Sequence, residues 1–330
     1  MRLKKKYPSP IANLPKGERF ISDTKLAPTQ EKLGQAYQSF AGIRLIDTSE
    51  LASEGSRSAQ YWAKRGMFDF ITKLRPKFDL SQLPDPNPTL PQKVVDRYHL
   101  KDISYGNWLT TEDRYNYTYA LFAALSDLDK VLQFNNNLGG SGNLGVSIGG
   151  RGRGGAVAHF ESWSNIVNMT RYKRDYLWRG KGVAFVTSGG LGAFAHEYGH
   201  FLDYFCGSRM FPDHDNWSLT GGRSHSVEPL SNDNKHKARD ITNNILLTVH
   251  QVGNYYANLN KLDNGEYFRR RNEIFARCFE SYIAIKLKQK NIENYFLVQD
   301  NYEQAAYPPP DLMKQLVPLF DDLMSEIRKA

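Results

Sequence analysis

Two cysteines in 330 residues, Cys206 and Cys278, cannot staple a disulfide framework. The chain therefore reads as made for a reducing compartment. No apolar run approaches the ~20 residues that cross a bilayer. The opening stretch MRLKKKYPSPIANLPKGERF is basic but lacks the apolar core of a secretory leader. The expectation is a cytoplasmic protein with no membrane association. No internal repeat recurs, which excludes a solenoid or propeller. Hydrophobic residues make up 40% and charged residues 24%, the ordinary balance of a soluble globular fold.

What is present divides unevenly. Residues 1–81 read as an N-terminal helical segment with a docking or inhibitory role. TQEKLGQAYQSF and the stretch from Ser56 to Leu74 carry its helical spacing. QLPDPNPTLPQK (82–93) packs four prolines into twelve residues and reads as a linker or rigid strap, since proline fixes φ and removes a donor. Residues 94–330 form the main domain. Helices are expected over 110–134, from about 193, over 236–251 and 271–288, and after YPPPD. GAVAHF (155–160) and NIVNMT (165–170), joined by ESWS, read as a β-hairpin. The fold class is therefore α+β, mostly helical, with a small antiparallel sheet or hairpin beside the helix that starts near 193.

That helix carries His196-Glu197-Tyr198-Gly199-His200, an H-E-x-x-H pattern. Positions i and i+4 share one helical face, so both imidazoles reach one ion. Glu197 falls beside them, where a carboxylate can accept a proton from a water polarised by zinc. A catalytic zinc site takes three protein ligands, and the third is open. Position 206, ten residues after His196, is a cysteine, which disfavours a third histidine there; Cys206 reads as a small buried residue. His214 and His225 fall in a polar, glycine-rich stretch and read as exposed. RRRNEIFARCFESYIAIKLKQ supplies Glu273 and Glu280, seven residues apart on one face. Spacing alone favours neither. Either glutamate can instead pair with Arg271 or Arg277.

Two glycine patterns fail their context. GSGNLG (140–145) follows a helix, whereas a dinucleotide fingerprint follows a strand. GVSIG (145–149) runs into GGRGRGG, where a nucleophile's helix would begin. The stretch 135–155 reads as a turn-rich loop.

HEYGHFLDYF, followed by NEIFARCFESYI, resembles the large polyvalent protein-associated domain type 1. This is a zincin-like domain of phage and conjugative-element proteins, with a metallopeptidase activity inferred for it. ISYGNWLTTEDR, LGVSIGGRGRGGAVAHFESWSNIVNMT and AYPPPDLMKQLVPLFDDLM match in order, so the resemblance runs from about 97 to 325. It implies a zincin-like catalytic domain and, for a phage-encoded protein, a place in the host cytoplasm or virion. The zinc site is also similar to that of the anthrax lethal factor group of gluzincins. That similarity implies Glu273 as the third ligand of a Zn2+ held by His196 and His200. It also implies Glu197 as general base, Tyr267 as oxyanion donor (one residue short of the usual spacing) and Asp203 as an acceptor that orients a ligand histidine. The implied activity is zinc-dependent hydrolysis of a protein or peptide.

The net charge of +8 supports a second expectation. RYKRDYLWRGK (171–181) interleaves Arg171, Lys173, Arg174, Arg179 and Lys181 with aromatic residues, a composition that grips single-stranded nucleic acid. The alternative function is a non-catalytic binding or virion protein, stabilised by zinc, that contacts nucleic acid through this surface.

Overall fold

The computed structural model describes residues 90–329, apart from 108, 110, 151–156, 171–175, 181–182, 188–189, 211–217, 233–234, 263 and 299–304. The N-terminal segment 1–81, most of the 82–93 strap and His214 lie outside the described residues. The first helix, α1 (Leu90–Tyr98), begins inside the expected strap. Pro91 falls in its first turn, where a missing N–H costs nothing, and Val94 and Tyr98 anchor the helix in the core.

Helix α2 (Thr111–Leu132) buries the expected Phe122, Leu125, Leu128 and Leu132. Tyr117, Leu121 and Ala124 are buried as well, so it is a core helix rather than an amphipathic one.

The sheet departs from the expected antiparallel hairpin. Strands β1 (Asp102–Tyr105), β2 (Gly145–Ile148), β3 (Ala158–Glu161) and β4 (Ile166–Met169) form one mixed sheet in the order β1-β2-β4-β3. The β3–β4 hairpin is antiparallel as read, but β1–β2 and β2–β4 are parallel. GVSI, read as loop, is the buried strand between β1 and β4. Four residues flanked by glycines carry too little periodicity to announce a strand, and only its partners make it one. In register, Ile103, Val146, Val167 and Phe160 line up across the sheet and enter the core. On the other face runs a polar row of Ser104, Ser147, Asn168 and His159. A separate antiparallel ribbon pairs β5 (Tyr176–Gly180) with β6 (Val183–Thr187).

Helix α3 (Phe194–Met210) lies between the sheet and the helical layer. Phe160 of β3 meets it at Phe201 and Tyr204, with ring centroids 6.2 and 6.0 Å apart. The helical layer comprises α4 (Lys237–Gln251), short α5 (Tyr255–Leu259) and α6 (Gly265–Phe268), α7 (Arg271–Gln289) and α8 (Pro310–Ile327). An aromatic spine joins α3, α7 and α8 through Tyr198, Phe279, Phe275 and Phe320. Tyr198 also donates to the Leu138 carbonyl, 2.9 Å away. The N-terminus of α3 is closed by the chain that follows α7: Ala195 N–H donates to Leu297 and Gly192 N–H to Phe296. Exposed helix-end donors are thereby satisfied inside the protein.

The far end of α3 depends on a backbone contact. A Cβ on Gly207 would stand 2.4 Å from Ser218 Cα and 2.6 Å from Leu219 N. Helix propensity alone favours alanine there by about 1 kcal/mol. The backbone clash wins, so Gly207→Ala is expected to lower stability by about 1–3 kcal/mol in urea unfolding. A stabilised variant would mean that the helix and the 218–219 segment do not touch.

Candidate metal centre

Among the described residues, helices α3 and α7 form the most extensive helix pair, and the site lies in their interface. Glu273 sits in the first turn of α7 and faces His196 and His200 in the first two turns of α3. His196 Nε2 stands 3.5 Å from Glu273 Oε2, and His200 Nε2 stands 3.5 Å from Glu273 Oε1. Donor atoms of the three residues all lie within 4.8 Å of one another. The two imidazole centroids are 4.9 Å apart and nearly perpendicular.

These spacings fit a metal better than they fit hydrogen bonds. Hydrogen bonds close at about 2.7–3.2 Å. Ligand atoms about 2.1 Å from a tetrahedral ion stand ~3.4 Å from each other. Glu273 Oε2 is buried and closes no hydrogen bond, although Arg277 Nη1 stands 3.6 Å away, so a bound cation would complete its surroundings. Two nitrogens and one carboxylate also form the donor set that zinc takes when it leaves a fourth position open. The residues therefore fit the ion.

The surroundings set the charge. Burial would raise the Glu273 carboxyl, but the facing histidines outweigh it and hold the group well below the usual carboxylate range. Burial would lower His196, yet Glu273 and Glu280 overcome it and raise the imidazole to about 10. Both shifts register a pocket that wants positive charge. Glu197 is buried beside the histidines; desolvation raises its carboxyl, and Glu273 and Glu280 push the same way.

Arg277, one turn after Glu273, brings its Nη1 to 3.6 Å from Glu273 Oε2 and donates to the Phe268 carbonyl. Tyr267 hydrogen-bonds Glu273, and its phenol is raised well above its usual pKa by burial and that carboxylate. It remains a donor at any working pH. The structure thus gathers His196, Glu197, His200, Tyr267 and Glu273 in one place.

Glu280 has a different position from Glu273. Its Oε2 lies 3.4 Å from the other nitrogen of His196, Nδ1. Asp203, expected to orient a ligand histidine, instead accepts from Thr220 N–H at 2.9 Å and Thr220 Oγ1 at 2.8 Å. His200 Nδ1 is buried without a hydrogen-bond partner. The reason is local: Asp203 stands one turn beyond His200 and faces the 218–222 segment, so its acceptors are taken there. Cys206 is buried and its thiol is pushed up to about 12, as expected of an inert residue. His225 is exposed and bonds the Glu266 carbonyl at 2.7 Å.

Arg271, offered by the sequence as a partner for either glutamate, is fully buried and bonds elsewhere. Its guanidinium donates to the carbonyls of Thr220, Ser226 and Glu228. With Asn272 N–H on the Gly222 carbonyl, it fastens the 220–228 segment to the start of α7. Nothing in a run of three arginines reveals which one turns inward.

Residues 259–330 match the family model of large polyvalent protein-associated domain 1. The match is narrower than the resemblance over 97–325. It contains Tyr267, Glu273 and Glu280 and stops short of the H-E-x-x-H helix. No curated protein and no solved structure matches the chain. Arg171, Lys173, Arg174 and Lys181 lie outside the described residues, and Arg179 is placed only as a backbone position in β5. No helix among the described residues is long and apolar enough to cross a membrane.

Burial pushes Asp203 up to about 6 despite its bonds from Thr220. A folded pKa above the unfolded value near 3.9 means that this group contributes stability below about pH 4 and loses it as pH rises through 6. In metal-free protein, wild type should therefore lose roughly 1–3 kcal/mol relative to Asp203→Asn between pH 4 and pH 7. Parallel stability–pH curves from chemical denaturation would show that Asp203 keeps an ordinary pKa.

Proposed function

We propose that this chain is a zinc-dependent peptidase of the gluzincin type, with a zincin-like fold built on α3, α7 and the sheet. The observation that carries the reading is the convergence of His196 Nε2 and His200 Nε2 on the Glu273 carboxylate, each 3.5 Å from one of its oxygens, with Glu197 beside them. Zinc bound there would supply Lewis acidity, polarising a carbonyl and bringing a water's pKa toward ~7.

The chain's own residues then divide the work. The Glu197 carboxylate takes a proton from the attacking water as its oxygen bonds to the carbonyl carbon. The same group returns that proton to the amine nitrogen as the C–N bond breaks. Burial suits it to the task, because a carboxylate raised above the ordinary range is a stronger base than a surface one and so takes up a water proton more readily near neutrality. Tyr267, still protonated, donates to the carbonyl oxygen as negative charge gathers there. Arg277 holds Glu273 in its rotamer and balances part of its charge. Strand β3 ends the sheet order and packs on α3 with its residues buried, which sets the sheet against the helix that carries His196 and His200. The match to a polyvalent protein-associated domain is compatible with such an activity but names no substrate.

The test pairs metal content with cleavage. Wild type should hold one zinc per chain by elemental mass spectrometry and lose it in His196→Ala and Glu273→Ala. Glu197→Gln should keep the zinc and lose about 10³-fold in turnover of a peptide library. Tyr267→Phe should keep the metal and lose about 10²-fold in kcat with KM little changed. Zinc without cleavage of any peptide would assign the ion a structural role, and undiminished cleavage by Glu197→Gln would end the mechanism.

A further inference from the structure

An imidazole binds a metal through one nitrogen only when its proton sits on the other, so whatever holds that proton selects the ligand atom. His196 meets a carboxylate on each side. Its Nε2 faces Glu273 at 3.5 Å, and its Nδ1 faces Glu280 Oε2 at 3.4 Å. Both glutamates belong to α7, two turns apart, so one helix addresses both edges of the same ring. Glu280 is fully buried, and its Oε2 is the carboxylate oxygen that faces Nδ1. The same Oε2 accepts from Tyr307 Oη at 3.0 Å.

Tyr307 belongs to the short strap that precedes α8. The strap is stiff and pinned. Three consecutive prolines, Pro308 to Pro310, fix its φ angles, Pro308 is buried, and Tyr255 of α5 donates to the Ala306 carbonyl at 2.7 Å. Tyr307 therefore presents its hydroxyl to Glu280 from a position that moves little. His200 has no equivalent support, since its Nδ1 is without a partner.

We propose that Glu280 and Tyr307 are positioning residues of the metal centre. Glu280 holds the proton on His196 Nδ1 and so presents the Nε2 lone pair toward Glu273 and His200. Tyr307 fixes the Glu280 carboxylate, and through it the strap before α8 sets the metal affinity of a site whose two histidines lie more than a hundred residues earlier in sequence. The inference rests on the reading of His196, His200 and Glu273 as a zinc site. It assigns Glu280 no contact with the ion.

The experiment is a zinc competition titration against a chromophoric chelator on the full chain. Wild type would be compared with Glu280→Leu, Glu280→Gln, Tyr307→Phe and the Glu280→Leu/Tyr307→Phe double variant. Circular dichroism of the metal-free proteins checks the fold. Glu280→Leu should weaken zinc about 10- to 100-fold. Glu280→Gln keeps an acceptor without the charge and should fall between it and wild type. Tyr307→Phe should weaken zinc about fivefold, the worth of one hydrogen bond. The double variant should be no weaker than Glu280→Leu alone, because Tyr307 acts through Glu280.

Unchanged affinity in Glu280→Leu would overturn the inference while leaving the zinc site standing. A Tyr307→Phe effect that persists undiminished in the Glu280→Leu background would also overturn it. If Glu280→Leu does not fold, Glu280→Gln and Tyr307→Phe decide, and wild-type affinity in both would reject the relay. A wild type that binds no zinc would remove the metal centre itself, a different failure, visible before any variant is compared.

Discussion

Everything near the centre of this fold answers to carboxylates buried in an apolar interface. Glu197, Glu273 and Glu280 sit between α3 and α7 among Phe194, Phe275, Phe279 and Tyr198. A single unpaired carboxylate in such surroundings costs several kcal/mol. Arg277 is the guanidinium in contact with Glu273. Three carboxyl groups against that one cation leave the pocket favourable to further positive charge. The same preference shows at His196, where Glu273 and Glu280 outweigh burial and raise the imidazole to about 10. On the zinc-site proposal, the ion would offset charge buried between α3 and α7 as well as serve the chemistry.

The ends of the two helices are held by polar contacts that carry little net charge. Arg271 is buried with its donors spent on backbone carbonyls, and Asp203 is buried with its acceptors spent on Thr220. Both converge on Thr220: the arginine takes its carbonyl, and the aspartate its N–H and hydroxyl. One residue of the 218–228 segment therefore ties the second half of α3 to the first turn of α7. Buried polar groups that are satisfied in this way specify a geometry more than they add stability. The geometry specified here is the separation of His200 and Glu273.

Legibility in the sequence followed locality. H-E-x-x-H is a five-residue pattern whose meaning depends only on helical pitch, so His196, Glu197 and His200 could be singled out and are found together. The helices over 236–251 and 271–288 were legible for the same reason. Strands β1 and β2 were not. Each is four residues long, and the parallel pairs β1–β2 and β2–β4 join segments far apart in sequence. The choice between Glu273 and Glu280 was illegible for a subtler reason. Seven residues place both on one face, and both do reach His196. What separates them is which edge of the imidazole each meets, and that depends on how far along α3 the helix α7 crosses. The glutamate carried by the resemblance is the one on Nε2.

The glycine inside H-E-Y-G-H shows how closely packing and metal geometry are linked. Glycine is among the poorest helix formers, costing about 1 kcal/mol relative to alanine, so helix stability does not explain Gly199. Its neighbours do. A Cβ there would lie 3.0 Å from Phe279 Cδ1 and 3.3 Å from Ala276 Cα, both on α7. Any larger side chain would have to lift α3 from α7 or displace Phe279 from the aromatic spine. A lift of a few tenths of an ångström is small for helix packing, where interaxial distances range over 8–10 Å. It is large for a metal site, whose ligand distances hold to about 0.2 Å. The 3.5 Å separations of Glu273 from the two histidines are set across this same interface, one residue away from Gly199. The residue type that weakens the helix is thus the one that lets two helices bring His196, His200 and Glu273 together.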